Sequence, residues 1–386
     1  MRLFRRTSID RRVWTFGSAS FLHDLGADMI FSVWPLFLTQ TLGASMSVVG
    51  IIDGLGDAFV SISQAVSGYW SDRLRKRKVF VWVGYLLGAV ARVGYAFAPL
   101  WAWVIPFRIL DRSGKMRGAP RDAIIGEFTT SANRGRSFGV LRAMDNAGAV
   151  CGILLALYLI NRVDLRTMFL IAAIPSVLAA LLIFTRVKEK KAAGEPLHKG
   201  IRLKDVSPQF RLYLLLSATF TLGAFSYSFL MIAAQENGFP SAALPLLYLL
   251  FTFVAAVLSI PMGTLADVWG RKTMLLLSYL CWAVVCVLML THDGIVTSIL
   301  AFALYGLHLS ALEPSYKSLA TELAPKEHLA SALGGYQMVI GLISFPASFL
   351  AGVLWDGIGM HAAFIFSLIL TLIAALILMV LRVQKS

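Results

Sequence analysis

The sequence predicts an all-α membrane protein of 12 transmembrane helices, arranged as two pseudo-symmetric six-helix bundles. Three observations predict it. Of 386 residues, 58% are hydrophobic and only 15% are charged, where a soluble chain would carry roughly 25% charged residues. Apolar runs longer than about 18 residues, each long enough to cross a bilayer, recur along the whole length. The basic residues gather in alternate short segments between those runs, the pattern that membrane insertion imposes.

The expected spans are 13–42, 45–70, 78–98, 101–124, 136–160, 165–186, 210–235, 241–266, 272–292, 294–323, 329–355 and 361–382. An even number places both termini on one side. Arg2, Arg5, Arg6, Arg11 and Arg12 precede span 1, and Arg73, Arg75, Lys76, Arg77 and Lys78 follow span 2. The loop after span 4 holds Arg134 and Arg136, and the loop after span 8 holds Arg271 and Lys272. The alternate loops are nearly free of Lys and Arg, apart from Arg162 and Arg166. Both termini are therefore expected in the cytoplasm, and the chain as a multi-pass protein of the cell inner membrane. The polar segment 187–208 divides it into an N-terminal bundle, 1–186, and a C-terminal bundle, 209–386.

The net charge of +14 raises the possibility of a nucleic-acid partner, and the placement of the bases excludes it: they obey the positive-inside rule instead. Cys151, Cys281 and Cys286 all lie in apolar runs, where cysteine serves packing more often than disulfides or metals. The first run is long, contains His23, Asp24 and Asp28 and is followed by eleven more, so no cleaved leader is expected. Pro35, Pro106, Pro175, Pro245, Pro261 and Pro346 lie within spans and are expected to kink helices.

A weak internal repeat supports the two-bundle division. Gly68-Tyr-Trp-Ser-Asp72-Arg73-Leu-Arg75-Lys76-Arg77-Lys78 follows span 2, and Gly263-Thr-Leu265-Ala-Asp267-Val-Trp-Gly270-Arg271-Lys272 follows span 8. On these two stretches the chain resembles the major facilitator superfamily, whose signature after span 2 reads Gly-x-Leu-x-Asp-Arg-x-Gly-Arg-Arg/Lys. The first copy lacks the internal Gly, and the second lacks the Arg after its Asp. A second set is similar to a prokaryotic subgroup whose members mostly have no assigned substrate. It comprises Asp111-Arg112-Ser-Gly114-Lys115-Met-Arg117-Gly-Ala-Pro120-Arg121-Asp122, Arg142-Ala-Met-Asp145-Asn-Ala-Gly148, Ser259-Ile-Pro261-Met-Gly263, Tyr305-Gly306-Leu307 with Glu313, and Leu354-Trp355-Asp356. That subgroup reads Gly-Lys-Gly-Ile-Arg where this chain is one residue shorter. Gly152-Ile153 stands where the drug-antiporter signature ends in Gly-Pro.

The resemblance implies the superfamily's fold and secondary active transport by alternating access, with a small-molecule substrate, the bilayer as surroundings, a monomer, no cofactor and no catalytic or metal centre. A charge at mid-bilayer costs at least about 2.5–3.5 kcal/mol on insertion scales, so intramembrane charges should face a cavity or each other. Asp24 and Asp28 lie one turn apart on span 1, a span that lines the cavity in the family, and with Glu313 they are the candidate proton carriers. Arg108, Arg112 and Lys115, with Asp111 between, form a stripe on span 4 suited to an anionic or zwitterionic solute or to pairing with the span 1 acids. Glu313 and Lys317 on span 10 are spaced for an intrahelical pair, and His308 is either a cavity or a packing residue. Asp53 and Asp57 on span 2 offer a second carboxylate pair. The resemblance further implies a gating latch of ion pairs near the inner helix ends, from Asp72, Arg73, Arg121, Asp122, Arg142 and Asp145, with Asp267, Arg271 and Glu322 as weaker counterparts. The leading expectation is proton-coupled efflux by antiport. The alternative is proton-coupled uptake of an organic anion or siderophore by symport. Metal-ion export ranks third, since no helix shows His-x3-His or Cys-x2-Cys spacing.

Overall fold

The computed structural model describes residues 10–74, 76–129, 133–187, 207–324 and 329–381, the side chains of Tyr69, Asp72, Arg134 and residues 329–331 excepted. Among these residues every regular element is helical. In chain order they are α1 Arg11–Phe31, α2 Trp34–Leu36, α3 Met46–Leu74, α4 Arg77–Ala96, α5 Trp101–Ser113, α6 Gly118–Phe128, α7 Arg134–Leu159 and α8 Leu165–Arg186. Then come α9 Pro208–Gly223, α10 Tyr227–Glu236, α11 Leu244–Trp269, α12 Arg271–Thr291, α13 Ile295–Leu323, α14 Leu329–Gly357 and α15 Met360–Val380.

Ten of the described helical segments are long and apolar enough to cross a membrane, or eleven if one bent pair counts as a single span. That pair is α1 with the stretch Trp34–Thr41, bent by 47°, so the single straight span expected over 13–42 is broken. Pro35 lies in the first turn of α2, where its missing N–H costs nothing. Pro245 likewise begins α11, whereas Pro106, Pro175, Pro261, Pro314 and Pro346 lie inside helices. The expected fourth span runs from α5 through a 3₁₀ turn, Gly114–Arg117, into α6. Its length suffices to cross a bilayer, but Arg108, Asp111, Arg112, Lys115 and Arg117 deprive it of a continuous apolar window.

The chain forms two compact units, Met1–Phe31 with Ile62–Pro196, and Ser32–Ser61 with Leu197–Ser386. Residues 32–61, which precede the 187–208 linker, thus group with the second unit. The first unit is built on α1 packed against α7 and α8, with α4 against α8. Its apolar core includes Phe16, Tyr85, Ile125 and Ile183. The crossing of α1 and α7 is set by two glycines a turn apart. A Cβ at Gly148 would meet the Phe21 carbonyl, and one at Gly152 the Leu25 carbonyl. Lipid offers no hydrophobic drive for helices to associate, so this close backbone approach is what binds them. Large apolar side chains such as Ile174, Phe184, Ile260 and Leu376 remain exposed, as a hydrocarbon-facing surface requires.

In the second unit α13 packs against α11 and α12, and α15 against α9 and α12. Its interior is aromatic. The Phe225 ring meets Phe229, Trp282 and Phe364, and the Tyr213 and Tyr336 rings stack at 5.3 Å. One device recurs in both units. Lys78, second residue of α4, donates to the Phe184 carbonyl at the end of α8 (2.8 Å). Lys272, second residue of α12, donates to the Met379 and Leu381 carbonyls at the end of α15 (2.8 Å each). Each lysine supplies a donor to carbonyls that a helix terminus leaves without a partner.

The α1–α7 crossing yields a prediction. Gly152→Leu, which overpacks the contact at a cost of about 1–3 kcal/mol, should lower the apparent melting temperature of the purified protein by several degrees. Gly139→Leu, whose Cβ meets open space, should leave it nearly unchanged in the same thermal scan.

Candidate functional site

The charges expected at mid-membrane come together within the first unit. At 1.5 Å rise per residue, Arg108, Arg112 and Lys115 lie roughly 10, 17 and 21 Å along from the start of α5. Arg108 is buried, and its guanidinium carbon lies 5.5 Å from the centre of the Phe31 ring. That of Arg112 lies 4.4 Å from the same ring, so the two arginines share one aromatic platform. The Nε of Arg112 is buried without a hydrogen-bond partner.

Asp24 finds a partner that the stripe did not predict. Its Oδ1 lies 3.8 Å from Nη2 of Arg117, a residue of the 3₁₀ turn. Arg117 also donates to the Gly114 carbonyl (2.9 Å) and lies 4.9 Å from the centre of the Tyr85 ring. The tighter turn carries Arg117 to α1. Lys115 lies within electrostatic reach of both Asp24 and Asp28, so the two span 1 acids share one basic environment.

Behind them lies a closed polar core. Arg92, 1% exposed, donates to the Ala172 carbonyl (3.0 Å), the Ser176 hydroxyl and the His23 carbonyl (3.2 Å). The Ser176 Oγ is 3.1 Å from His23 Nδ1. Asp111 is buried and provides the leading carboxylate field at Arg92. Breaking such a set strands a buried charge, and that asymmetry makes it structural. Counted together among the described residues, Arg92, Arg108, Arg112, Lys115, Arg117 and Arg121 oppose Asp24, Asp28, Asp111 and Asp145, so these charges carry a formal surplus of two positives.

Nearer the end of this unit that carries Lys78, Arg121 joins three helices. It donates to Ser20 Oγ (2.8 Å) and Asp122 Oδ1 (3.1 Å), and its Nη1 lies 3.6 Å from Asp145 Oδ1. Ser20 Oγ lies 3.0 Å from the Tyr85 hydroxyl, which ties this network to Arg117. Arg142 reaches Asp145 at 3.8 Å but is 73% exposed. Arg77 pairs with Glu127, a residue that no motif marks. Arg73 lies 6.0 Å from the Trp70 ring. The Asp72 side chain lies outside the described residues. A recess of about 390 Å3 between α4 and α5, lined by Val90, Val93, Gly94, Phe97, Trp103 and Phe107, is apolar and takes in none of these charges.

The second unit distributes its expected residues differently. His308 is 3% exposed, and its Nδ1 lies 2.9 Å from both the hydroxyl and the carbonyl of Ser278. Its ring stacks on Tyr305 and tilts against Trp282. Of the two readings open to it, this environment is the packed one. Glu313 and Lys317 are both exposed on α13 and make no ion pair among the described residues; the Lys317 ammonium lies 5.5 Å from the Tyr316 ring. Asp267 is exposed, and Arg271 pairs with Glu322 at 2.9 Å. Asp53 and Asp57 do not form a carboxylate pair: Asp57 is exposed, whereas Asp53 is buried and receives the Trp34 indole N–H (2.9 Å) and the Ser226 and Ser228 hydroxyls (2.7 and 2.5 Å). Among the described residues no three His, Cys, Asp or Glu side chains gather as a metal site.

The Arg121 network yields a second prediction. A double-mutant cycle with Arg121→Ala and Asp145→Ala should give a coupling of about 0.5–3 kcal/mol, since both side chains are nearly buried. Arg142→Ala should change stability by less than about 0.5 kcal/mol. Chemical unfolding in mild detergent measures both.

With this geometry in hand, comparison with known proteins is direct. The family model of the Major Facilitator Superfamily matches residues 16–233 and 213–386. A protein of Methanocaldococcus jannaschii, described as an uncharacterized MFS-type transporter, is 34% identical over 381 residues, covering 96% of this chain and 95% of that one. The multidrug resistance protein MdtH of Aeromonas hydrophila is 26% identical over 354 residues, covering 89% of this chain and 87% of its own. Among solved structures, the nucleoside transporter NupG superposes with a TM-score of 0.76 at 14% identity, covering 97% of this chain and 100% of that one. The chain is a multi-pass membrane transporter and belongs to the Major Facilitator Superfamily.

Proposed function

We propose that the chain couples movement of a small organic anion to movement of protons, with Asp24 as the proton-carrying carboxylate. The observation that carries this reading is the surplus of two positive charges around Asp24, Arg112, Lys115 and Arg117. Uncompensated cations at mid-bilayer are costly, and a carboxylate or phosphate on the solute relieves that cost through charge-assisted hydrogen bonds. Arg112, with an unsatisfied Nε, is the residue of choice to meet it, and Lys115 stands one turn further on.

The sign of coupling follows from the same charges. Protonating Asp24 removes a negative charge and frees Arg117, raising the surplus from two to three. An anion then binds better to the protonated carrier, and by reciprocity a proton binds better to the anion-loaded one. Two ligands that favour each other travel together. Inward movement of the proton contributes about 2.3 kcal/mol per 100 mV. The Arg121–Asp145 network, with Arg142 and Asp122, serves as a gate whose breakage shifts the population of states rather than solute contacts.

Export in exchange for protons is the second reading, and the likeness to the proteins called MdtH favours it. A cationic or neutral drug would compete with the proton for Asp24, so the two would move in opposite directions. The sign of a lumenal pH response separates the two readings.

The purified protein in liposomes with an internal pH dye should acidify the lumen when pooled carboxylates and phosphate esters are added outside. Asp24→Asn should abolish the proton signal while leaving solute binding. Arg112→Ala should weaken solute binding by about 10- to 100-fold, the loss of one charge-assisted hydrogen bond, with an unchanged melting temperature. Solute movement without proton movement in the wild type would sink the coupling, and lumenal alkalinisation on adding a drug outside would establish exchange instead.

A further inference from the structure

Asp53 stands apart from the charges that meet solute and proton. It lies on α3 and is 1% exposed. Its Oδ1 accepts the indole N–H of Trp34 at 2.9 Å, and its Oδ2 accepts the hydroxyls of Ser226 and Ser228 at 2.7 and 2.5 Å. Trp34 is itself buried. Ser226 is the N-cap of α10, its hydroxyl receiving the Ser228 amide. Its own amide donates to Ser348 on α14 at 3.3 Å. One carboxylate therefore ties α2 and α3 to the α9–α10 break, and through Ser226 to α14.

Two further contacts join the same segments. Asp356, at the end of α14, accepts the amides of Met46 and Ser47 with its two oxygens, at 2.9 and 2.8 Å, which caps the free N–H groups at the start of α3. Along the crossing below it, a Cβ at Gly50 would meet the Ser348 carbonyl, one at Gly54 the Phe345 backbone, and one at Gly352 the Met46 carbonyl. Residues 32–61 are thereby held inside the second unit.

We infer that Asp53 is a positioning residue that clasps the outer parts of the first two spans to the C-terminal helices and so sets how often this end opens. The inference rests on the alternating-access part of the reading above and on neither proton nor substrate. If the six-span halves are to separate at this end, residues 32–61 must leave their partners, and Asp53 must exchange three protein donors for water. A buried carboxylate with its donors satisfied resists that exchange, and one deprived of them favours it. Asp53 acts through Trp34 and the α10 cap.

The test reads the separation itself. Spin labels at Thr41 and Ala242, both exposed, flank the Gln40–Ser241 hydrogen bond of 3.3 Å. They are placed in a Cys151→Ser background, with Cys281 and Cys286 left buried. In the wild type the distance distribution should be dominated by a short population. Asp53→Asn and the double variant Ser226→Ala/Ser228→Ala should each raise the long-to-short ratio by about tenfold, with Trp34→Phe in between. Unchanged distributions in the two serine and asparagine variants, with melting temperatures within a few degrees of wild type, would overturn the clasp. If Asp53→Asn does not fold, the serine pair, which keeps the carboxylate, decides alone. No solute or proton gradient is needed, so a failure of proton coupling in the flux experiment leaves this result standing.

Discussion

Everything distinctive in this chain follows from one constraint: a charge cannot face hydrocarbon. In the first unit alone Arg92, Arg108, Arg112, Lys115 and Arg117 with Asp24, Asp28 and Asp111 lie within helical stretches where lipid offers no hydrogen bond, and each must be met by protein or by a water-filled space. Arg92 is met entirely by protein, through two carbonyls and a serine hydroxyl. Arg112 is not, since its Nε has no protein partner. That difference separates a guanidinium engaged by protein from one with an unmet donor among the described residues. The helices around them are arranged to keep the charges inward and to present isoleucine, leucine and phenylalanine outward, the inverse of a soluble protein.

The same constraint explains why irregular backbone is placed where it is. The 3₁₀ turn Gly114–Arg117 and the break between α9 and α10 each expose peptide groups that a straight helix would satisfy. At the first, the Gly114 carbonyl is met by Arg117. At the second, the Ser226 amide is met by Ser348, and the Ser226 hydroxyl by Asp53. Neither interruption is tolerated by lipid, and both are used, the first to swing Arg117 toward Asp24 and the second to place a helix start beside a carboxylate.

Much of this is legible from residue order. Span positions follow from hydropathy, and the concentration of charge on α1 and α5 follows from acids and bases that a hydrocarbon run does not tolerate without a purpose. Arg121 and Asp145 are legible because they stand in charged motifs within otherwise apolar stretches. What sequence spacing misses is direction. Arg117 escapes notice because a continuous α-helix points it away from the Arg108–Arg112–Lys115 stripe; the tighter turn reverses that. Asp53 and Asp57, one turn apart, suggest a like pair, yet only Asp53 enters the interior. Glu313 and Lys317 have ideal spacing for an ion pair, but both are exposed and make none among the described residues. His308 is open to two readings, and only the Ser278 contacts decide its environment.

The lysines at the second positions of α4 and α12 have a consequence for how the starts of these helices are fixed. The motif copies leading to them differ by one residue in length, Gly68 to Lys78 against Gly263 to Lys272. The loop absorbs that difference, because the lysine fixes the helix start by holding the carbonyls of a neighbouring helix end. The margins of the two units thus share one solution to a need of backbone chemistry, while their interiors differ: the first gathers charges and the second stacked rings.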